Sequence, residues 1–308
     1  MWAYLACLVI EDSDNYPESG NRNQHTLVEI LFPARKIGQN GEYMHSEKFL
    51  SESQTLQAVE PLVVQAFGRE LHLTPVFAPI WDMDGRLIAL EMLSRVQDRD
   101  TGALCSPEMF FSKSPQSEQF RIFCWQLDIL SQLVKWSRIR DIPFSLNINR
   151  GQALSLLGDP YISGRVQTLA PLLRLEISER FINKDTVPDN DPILQGLRGL
   201  TTLWLDDFGA GATALSWLMT GFFEVVKIDR QLFRDLVLLQ EGVSFFNSFS
   251  SLARALNARI VAEGIENTSL MHKALSAGMD YCQGFMWPEV SLDELSTTPI
   301  FLPQKEGE

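Results

Sequence analysis

The chain has 308 residues, 45% of them apolar, enough for one large domain with a substantial core or for such a domain plus a modest appendage. A formal net charge of -13 argues against a surface that coats polymeric nucleic acid, which would be basic, but it still admits an anionic nucleotide held through bound cations. The cysteines Cys7, Cys105, Cys124 and Cys282 form no C-x-x-C pair and have no histidine cluster nearby, so no zinc site or disulfide framework is expected and a reducing cytoplasm is the natural setting.

Taken in chain order, the opening MWAYLACLVI is apolar but only about half as long as a membrane span, and no Lys or Arg precedes it. Neither a signal peptide nor a membrane anchor is expected, and no later apolar run reaches spanning length. From Glu11 to about Met44 the sequence is polar and turn-rich apart from LVEILFPA. Met44 offers a second start, and SEKFLSESQTLQAVEPLVVQAFGREL after it reads as helix leading into a first strand. Residues 1–70 are therefore read as an N-terminal extension, partly disordered or helical, residues 71–300 as the main domain and residues 301–308 as a tail.

From Leu71 onward, short β-prone runs alternate with amphipathic helices. The strands are PVFAPIWD, RLIALEML, PFSLNIN, LRLEISE, TTLWLDD, EVVKID, RIVAEGI and MDYCQGF. Between them lie EQFRIFCWQLDILSQLVKWSRI, DPILQGLRGL, FGAGATALSWL, EGVSFFNSFSSLARAL and SLMHKALSAG. Eight such strands suit a closed barrel better than an open sheet. The tight MDG turn joins the first two as a hairpin, so one of them must run against the rest. The expected fold is an α/β, modified (β/α)8 TIM-like barrel with an antiparallel first strand.

The strands end in polar groups: Glu91, Asn147, Glu176, Asp206 with Asp207, Lys227, Glu263 and Gln283. In a barrel these ends converge on one face, so residues far apart in sequence become neighbours. Adjacent carboxylates repel unless a cation lies between them, and oxygen donors of this kind suit Mg2+ or Mn2+ rather than zinc. Asp206 and Asp207 could feed two ions, which favours phosphodiester hydrolysis, with Lys227 neutralising phosphate charge or orienting water. Taken singly, each residue has a plainer role: a strand-end acid is more often a helix N-cap or a solvated rim residue, and a lysine beside acids is most often an ion-pair partner. Chance placement at so many consecutive strand ends is the weaker account.

LEMLSR, SLNIN, LEISE, LDDFGAG, VKIDRQLF, VAEGIE and QGF, in that order from about Leu71 to about Leu295, resemble the successive motifs of the EAL-domain family of cyclic di-GMP phosphodiesterases. The likeness is greatest to its short, stand-alone enterobacterial members. The resemblance implies hydrolysis of cyclic di-GMP to linear pGpG, favouring motility over biofilm. It implies that Glu91, Asn147, Glu176 and Asp206 hold one Mg2+ or Mn2+ and that Asp207 joins Asp206 around a second, with Ca2+ inhibiting. Lys227 and Glu263 would manage the attacking water, with Gln283 beside it. Leu93 and Arg95 would contact substrate, Arg95 at its phosphate, and Glu179 would steady the FGAGATA loop. A homodimer formed around Ser216 and Trp217 is implied as well.

Three positions depart from the family pattern. Glu-Ala-Leu reads Glu91-Met92-Leu93, which keeps the metal-binding acid. Ala78 stands where Gln is common. Glu289 replaces a basic residue at the mouth. The last two changes lower the expected affinity and keep open a cyclic di-GMP sensor that binds without cleaving; a catalytically silent protein that acts by binding another protein is a separate alternative, which the complete set of metal ligands opposes.

Overall fold

In the run ELHLTPVFAPIWD, residues 71, 73, 75 and 77 are buried and their neighbours less so, the period-two pattern of a strand with one face on a core. The computed structural model describes residues 59–181, 188–210 and 216–302, with only the backbone described at 216 and 219. The expectations for residues 1–58, including a start at Met44, for the 303–308 tail and for residues 211–215 of the glycine-rich loop lie outside the described residues. No described helix is long and apolar enough to cross a membrane.

The described strands are β1 (Leu62–Ala66), β2 (Arg69–Asp82), β3 (Leu87–Asp98), β4 (Leu104–Cys105), β5 (Phe144–Asn147), β6 (Leu173–Ser178), β7 (Thr202–Phe208), β8 (Val225–Ile228), β9 (Arg259–Ala262), β10 (Tyr281–Cys282) and β11 (Val290–Ser291). Pairing runs β2-β10-β9-β8-β7-β6-β5-β3, and β3 pairs again with β2, which closes an eight-stranded barrel. From β3 round to β10 the strands are parallel, while β2 is antiparallel to both neighbours. The expected barrel with a reversed first strand is the observed one. Helices between the strands cover its outside, among them Gln116–Gln132, Arg150–Gly158, Pro192–Arg198, Gln240–Ala255 and Thr268–Ser276.

The N-terminal side of the barrel differs from expectation. The segment ending in LVVQA, read as the close of a helix, is strand β1 at Leu62–Ala66, hairpinned onto β2. Its β-branched valines fit a pleated sheet better than a helix. β2 and β3 also run well past the barrel rim, to Arg69 and Asp98, and β1 and β4 flank them as an antiparallel lobe. Val64, Leu71, Leu73, Val96, Phe110 and Ile122 form this lobe's own core. The expected single helix spanning residues 118–139 is two, Gln116–Gln132 and Val134–Arg140, divided at Leu133.

A compact apolar cluster of Ile80, Ala89, Trp204, Val225 and Val261, with Tyr281 at its edge, plugs the barrel. Two residues farther along the same strands come Glu91, Asp206, Lys227, Glu263 and Gln283. Side chains at i and i+2 share a face, so the polar layer stands directly on this plug.

Candidate active site

Lys227 lies at the centre of the polar layer with its side chain 1% exposed. Its Nζ is 3.1 Å from Glu91, 3.0 Å from Glu176, 3.0 Å from Asp206 and 2.9 Å from Glu263. An ammonium has three N–H groups and cannot serve four carboxylates with good geometry. It donates to Glu91 Oε2 and Glu176 Oε2, whereas Asp206 Oδ1 is buried with an ion-pair contact to Nζ but no well-aligned hydrogen bond, and Glu176 Oε1 is buried without a donor. Glu91 also accepts from Asn147 Nδ2 on Oε1 at 2.8 Å and from Gln283 Nε2 on Oε2 at 2.8 Å. Gln283 Oε1 is itself buried and unpartnered.

Adjacent residues of a regular strand point to opposite faces, so two neighbouring aspartates would not normally meet one site. Here the β7–β8 register breaks between Leu205 and Phe208, and Asp207 takes a left-handed φ of 56°. Asp tolerates that conformation through its short polar side chain. As a result Asp206, Asp207 and Glu263 each bring a carboxylate oxygen within 4.8 Å of the others. Gly209, two residues on, is again in the positive-φ region, and its N–H donates to Glu179 Oε1 at 3.0 Å, so Glu179 anchors the chain just beyond the bend. Gly284 is held close against Ile265: a Cβ there would lie 2.3 Å from the Ile265 backbone, which fixes where Gln283 sits.

The charges leave their mark on protonation. Burial raises Glu176 well above the ordinary carboxylate range, and the charges of Glu91 and Asp206 add to this. Glu263 is pushed up to about 8, first by burial and then by Asp206 and Glu91 against the pull of Lys227. Asp207 rises to about 6 through burial and the charge of Asp206. Glu91 ends below its usual value: burial raises it, but the Lys227 charge and the hydrogen bonds from Gln283, Lys227 and Asn147 win. Desolvation would lower Lys227, yet Asp206, Glu176, Glu263 and Glu91 hold it well above its ordinary value. More negative charge is gathered here than one ammonium neutralises.

Beside this cluster, and reaching it through Asn147, lies a cleft of about 930 Å³ whose lining includes Leu93, Arg95, Arg180 and Glu289. Arg95 is in direct ion-pair contact with Glu289. The sequence-predicted residues thus fall into three places. Glu91, Asn147, Glu176, Asp206, Lys227, Glu263 and Gln283 form one connected network, joined through Asp206 and Glu263 by Asp207. Leu93 and Arg95 line the cleft, and Glu179 braces the bend from behind. Trp217, expected near a dimer face, is buried and stacked on Phe223.

Sequence reasoning missed Arg180, whose only signal was a cationic residue next to Glu179. The plainer role of strand-end acids holds for Asp229, which caps the helix Arg230–Val237 by accepting from Gln231 N and Leu232 N. Glu91, Glu176, Asp206 and Glu263 turn instead onto Lys227.

Known proteins resemble this chain in sequence and in fold. The cyclic di-GMP phosphodiesterase PdeH of Escherichia coli (strain K12) is 25% identical over 247 residues, covering 80% of this chain and 94% of its own. The anti-FlhC(2)FlhD(4) factor YdiV of Salmonella arizonae is 22% identical over 224 residues, 73% of this chain and 94% of its own. A solved structure of the EAL-like domain protein YdiV shares the fold with a TM-score of 0.67 at 19% identity, covering 76% of this chain and 97% of its own. The PaMucR phosphodiesterase in complex with c-di-GMP does so with a TM-score of 0.57 at 22% identity, covering 72% and 94%. The EAL domain model matches residues 63–289, from the first strand of the lobe to the acid that meets Arg95, and the chain belongs to the EAL domain family.

Proposed function

We propose that this protein is a divalent-metal-dependent phosphodiesterase that opens cyclic di-GMP to linear pGpG. The observation that carries the reading is the full polar layer, Glu91, Asn147, Glu176, Asp206, Asp207, Lys227, Glu263 and Gln283, at the mouth of one barrel. The layer fits hard cations: its ligand donors are all oxygen, and Glu176 Oε1 is a buried acceptor without a donor. Glu91, Asn147, Glu176 and Asp206 would hold one Mg2+ or Mn2+, and Asp207 with Asp206 a second. Such ions supply Lewis acidity toward water and phosphate oxygen.

The chain's own groups do the rest. Leu93 and Arg95 position the dinucleotide in the cleft, with Arg95 on a phosphate. Glu263 accepts the proton of the attacking water, and Lys227 balances charge as the phosphorus gains its fifth oxygen. Gln283 donates to Glu91 through Nε2, which leaves Oε1 to orient that water. Glu179 holds Gly209, and with it the bend that keeps both aspartates in register. Turnover lowers the second messenger and favours motility over biofilm, in a cytoplasmic homodimer, and Ca2+ supports binding without turnover. Likeness to YdiV, named as a factor directed at another protein, favours a second reading: a catalytically silent EAL protein.

Incubation of purified protein with cyclic di-GMP and Mg2+ or Mn2+, followed by chromatography, decides between them. Wild type should yield pGpG and Glu91→Ala should not. Equal product from both refutes the proposal. Binding without product in any divalent metal points to a sensor, and neither binding nor product to the silent protein.

A further inference from the structure

Two arginines line the cleft, and each faces an acid. Arg180 stands 3.9 Å from Glu108 with the two side chains 87% and 82% exposed, a contact that solvent screens. Arg95 and Glu289 touch directly, and their side chains are 48% and 31% exposed. The fold holds this second pair in place. β11 begins at the residue after Glu289 and pairs Val290 with Phe77 and Ser291 with Val76 of β2. On the opposite edge of β2, Thr74 pairs with Arg95. The β2 residues that share the face of cleft-lining Val76 are Thr74 and Ala78, all short, so a long side chain from each flank meets over β2 unobstructed. Continued by one residue, the β11 register sets Glu289 beside Ala78, which on its other side pairs with Glu91.

We propose that Glu289 is a built-in competitor for substrate: its carboxylate occupies the guanidinium of Arg95 until a phosphodiester of the cyclic dinucleotide displaces it, and so sets the KM of the enzyme. This rests on the hydrolytic reading above. Carboxylate and phosphodiester are both monoanions that present two oxygens to the same planar fork, and one guanidinium face accepts one of them. An arriving phosphate therefore meets a neutral pair rather than a cation, and Glu289 repels it once displaced. The pair opens on binding, before chemistry, so ground state and transition state bear the cost alike and kcat is unaffected. Ala78 belongs to the same device, because a longer residue there would intrude between the two flanks.

The test is steady-state hydrolysis of cyclic di-GMP with Mn2+ by wild type, Glu289→Gln, Glu289→Lys and Glu108→Gln over a range of NaCl. Glu289→Gln should lower KM about three- to tenfold at unchanged kcat, and Glu289→Lys at least as far. Glu108→Gln removes the same charge from the same cleft but frees no tightly held arginine, and should move KM by less than about twofold. KM of Glu289→Gln should also climb more steeply with salt than that of wild type, since an unmasked Arg95 is a net charge. An unchanged KM in Glu289→Gln, a change confined to kcat, or an equal fall in Glu108→Gln overturns the inference. Failure of the hydrolytic reading looks different: no variant makes product. The same ratios are then read as Kd by calorimetry with cyclic di-GMP in Ca2+, and absence of binding by every variant overturns both.

Discussion

Lys227→Met replaces a buried ammonium by an apolar side chain of similar length, and the carboxylates around it are left to one another. Each of its four contacts, at 2.9 to 3.1 Å, is worth about 5 kcal/mol at an effective dielectric of about 20, a gross attraction near 20 kcal/mol. Most of this is offset by desolvating the ammonium and by carboxylates that take up protons when it is gone. Breaking a buried pair by removing one partner costs about 3–5 kcal/mol, and that is the expected loss in urea unfolding of the metal-free variant near pH 8. The sign of the pH dependence follows from the raised values of Asp207, to about 6, and Glu263, to about 8. Groups raised on folding contribute stability that is complete below their unfolded pKa, near 4, and is lost as pH rises through the folded value. Without Lys227 these values rise further, so the gap between variant and wild type should widen from about pH 5 to pH 8 and narrow again when Mg2+ is added. An equal loss at both pH values would mean that Lys227 matters for packing alone, and would refute the electrostatic account.

Two further outcomes can be read from the same cluster. Divalent-metal affinity should rise as pH passes through about 6, because the second ion requires Asp207 deprotonated, and calorimetry in buffers of different ionisation enthalpy should detect proton release. A flat affinity over that range would show that Asp207 takes no part in holding metal. Glu179→Ala leaves the Gly209 N–H without its acceptor and should cost about 0.5–1.5 kcal/mol of stability while lowering kcat at least about tenfold. Unchanged kcat would show that the bend after Asp207 holds itself.

The barrel was legible because its strands announce themselves twice. Ala89 precedes Glu91, Trp204 precedes Asp206, Val225 precedes Lys227 and Val261 precedes Glu263, each at a spacing of two, so the apolar plug and its polar lid are both written in local sequence. The reversal of β2 was legible from the short turn at Met83, Asp84 and Gly85. The lobe beyond the rim was not. After Leu93, β3 reads Ser94, Arg95, Val96, Gln97 and Asp98, with one apolar residue among five, and it is strand because β2 and β4 pair with it. The meeting of Arg95 with Glu289 was equally hidden, since it spans 194 residues and depends on how β11 registers against β2. Asp207 shows a third limit: two adjacent acids in sequence imply opposite faces, and only the left-handed backbone brings them together.

That bend has an evolutionary consequence. The conformation at Asp207 suits asparagine about as well as aspartate, so one substitution removes a charge from the cluster and leaves the chain path intact. Because the acids strain against one another in the metal-free protein, the fold gains stability from that loss. For the proposed hydrolase this is a slope: mutation would drift from turnover toward a silent scaffold, and only selection for turnover would keep every carboxylate in place.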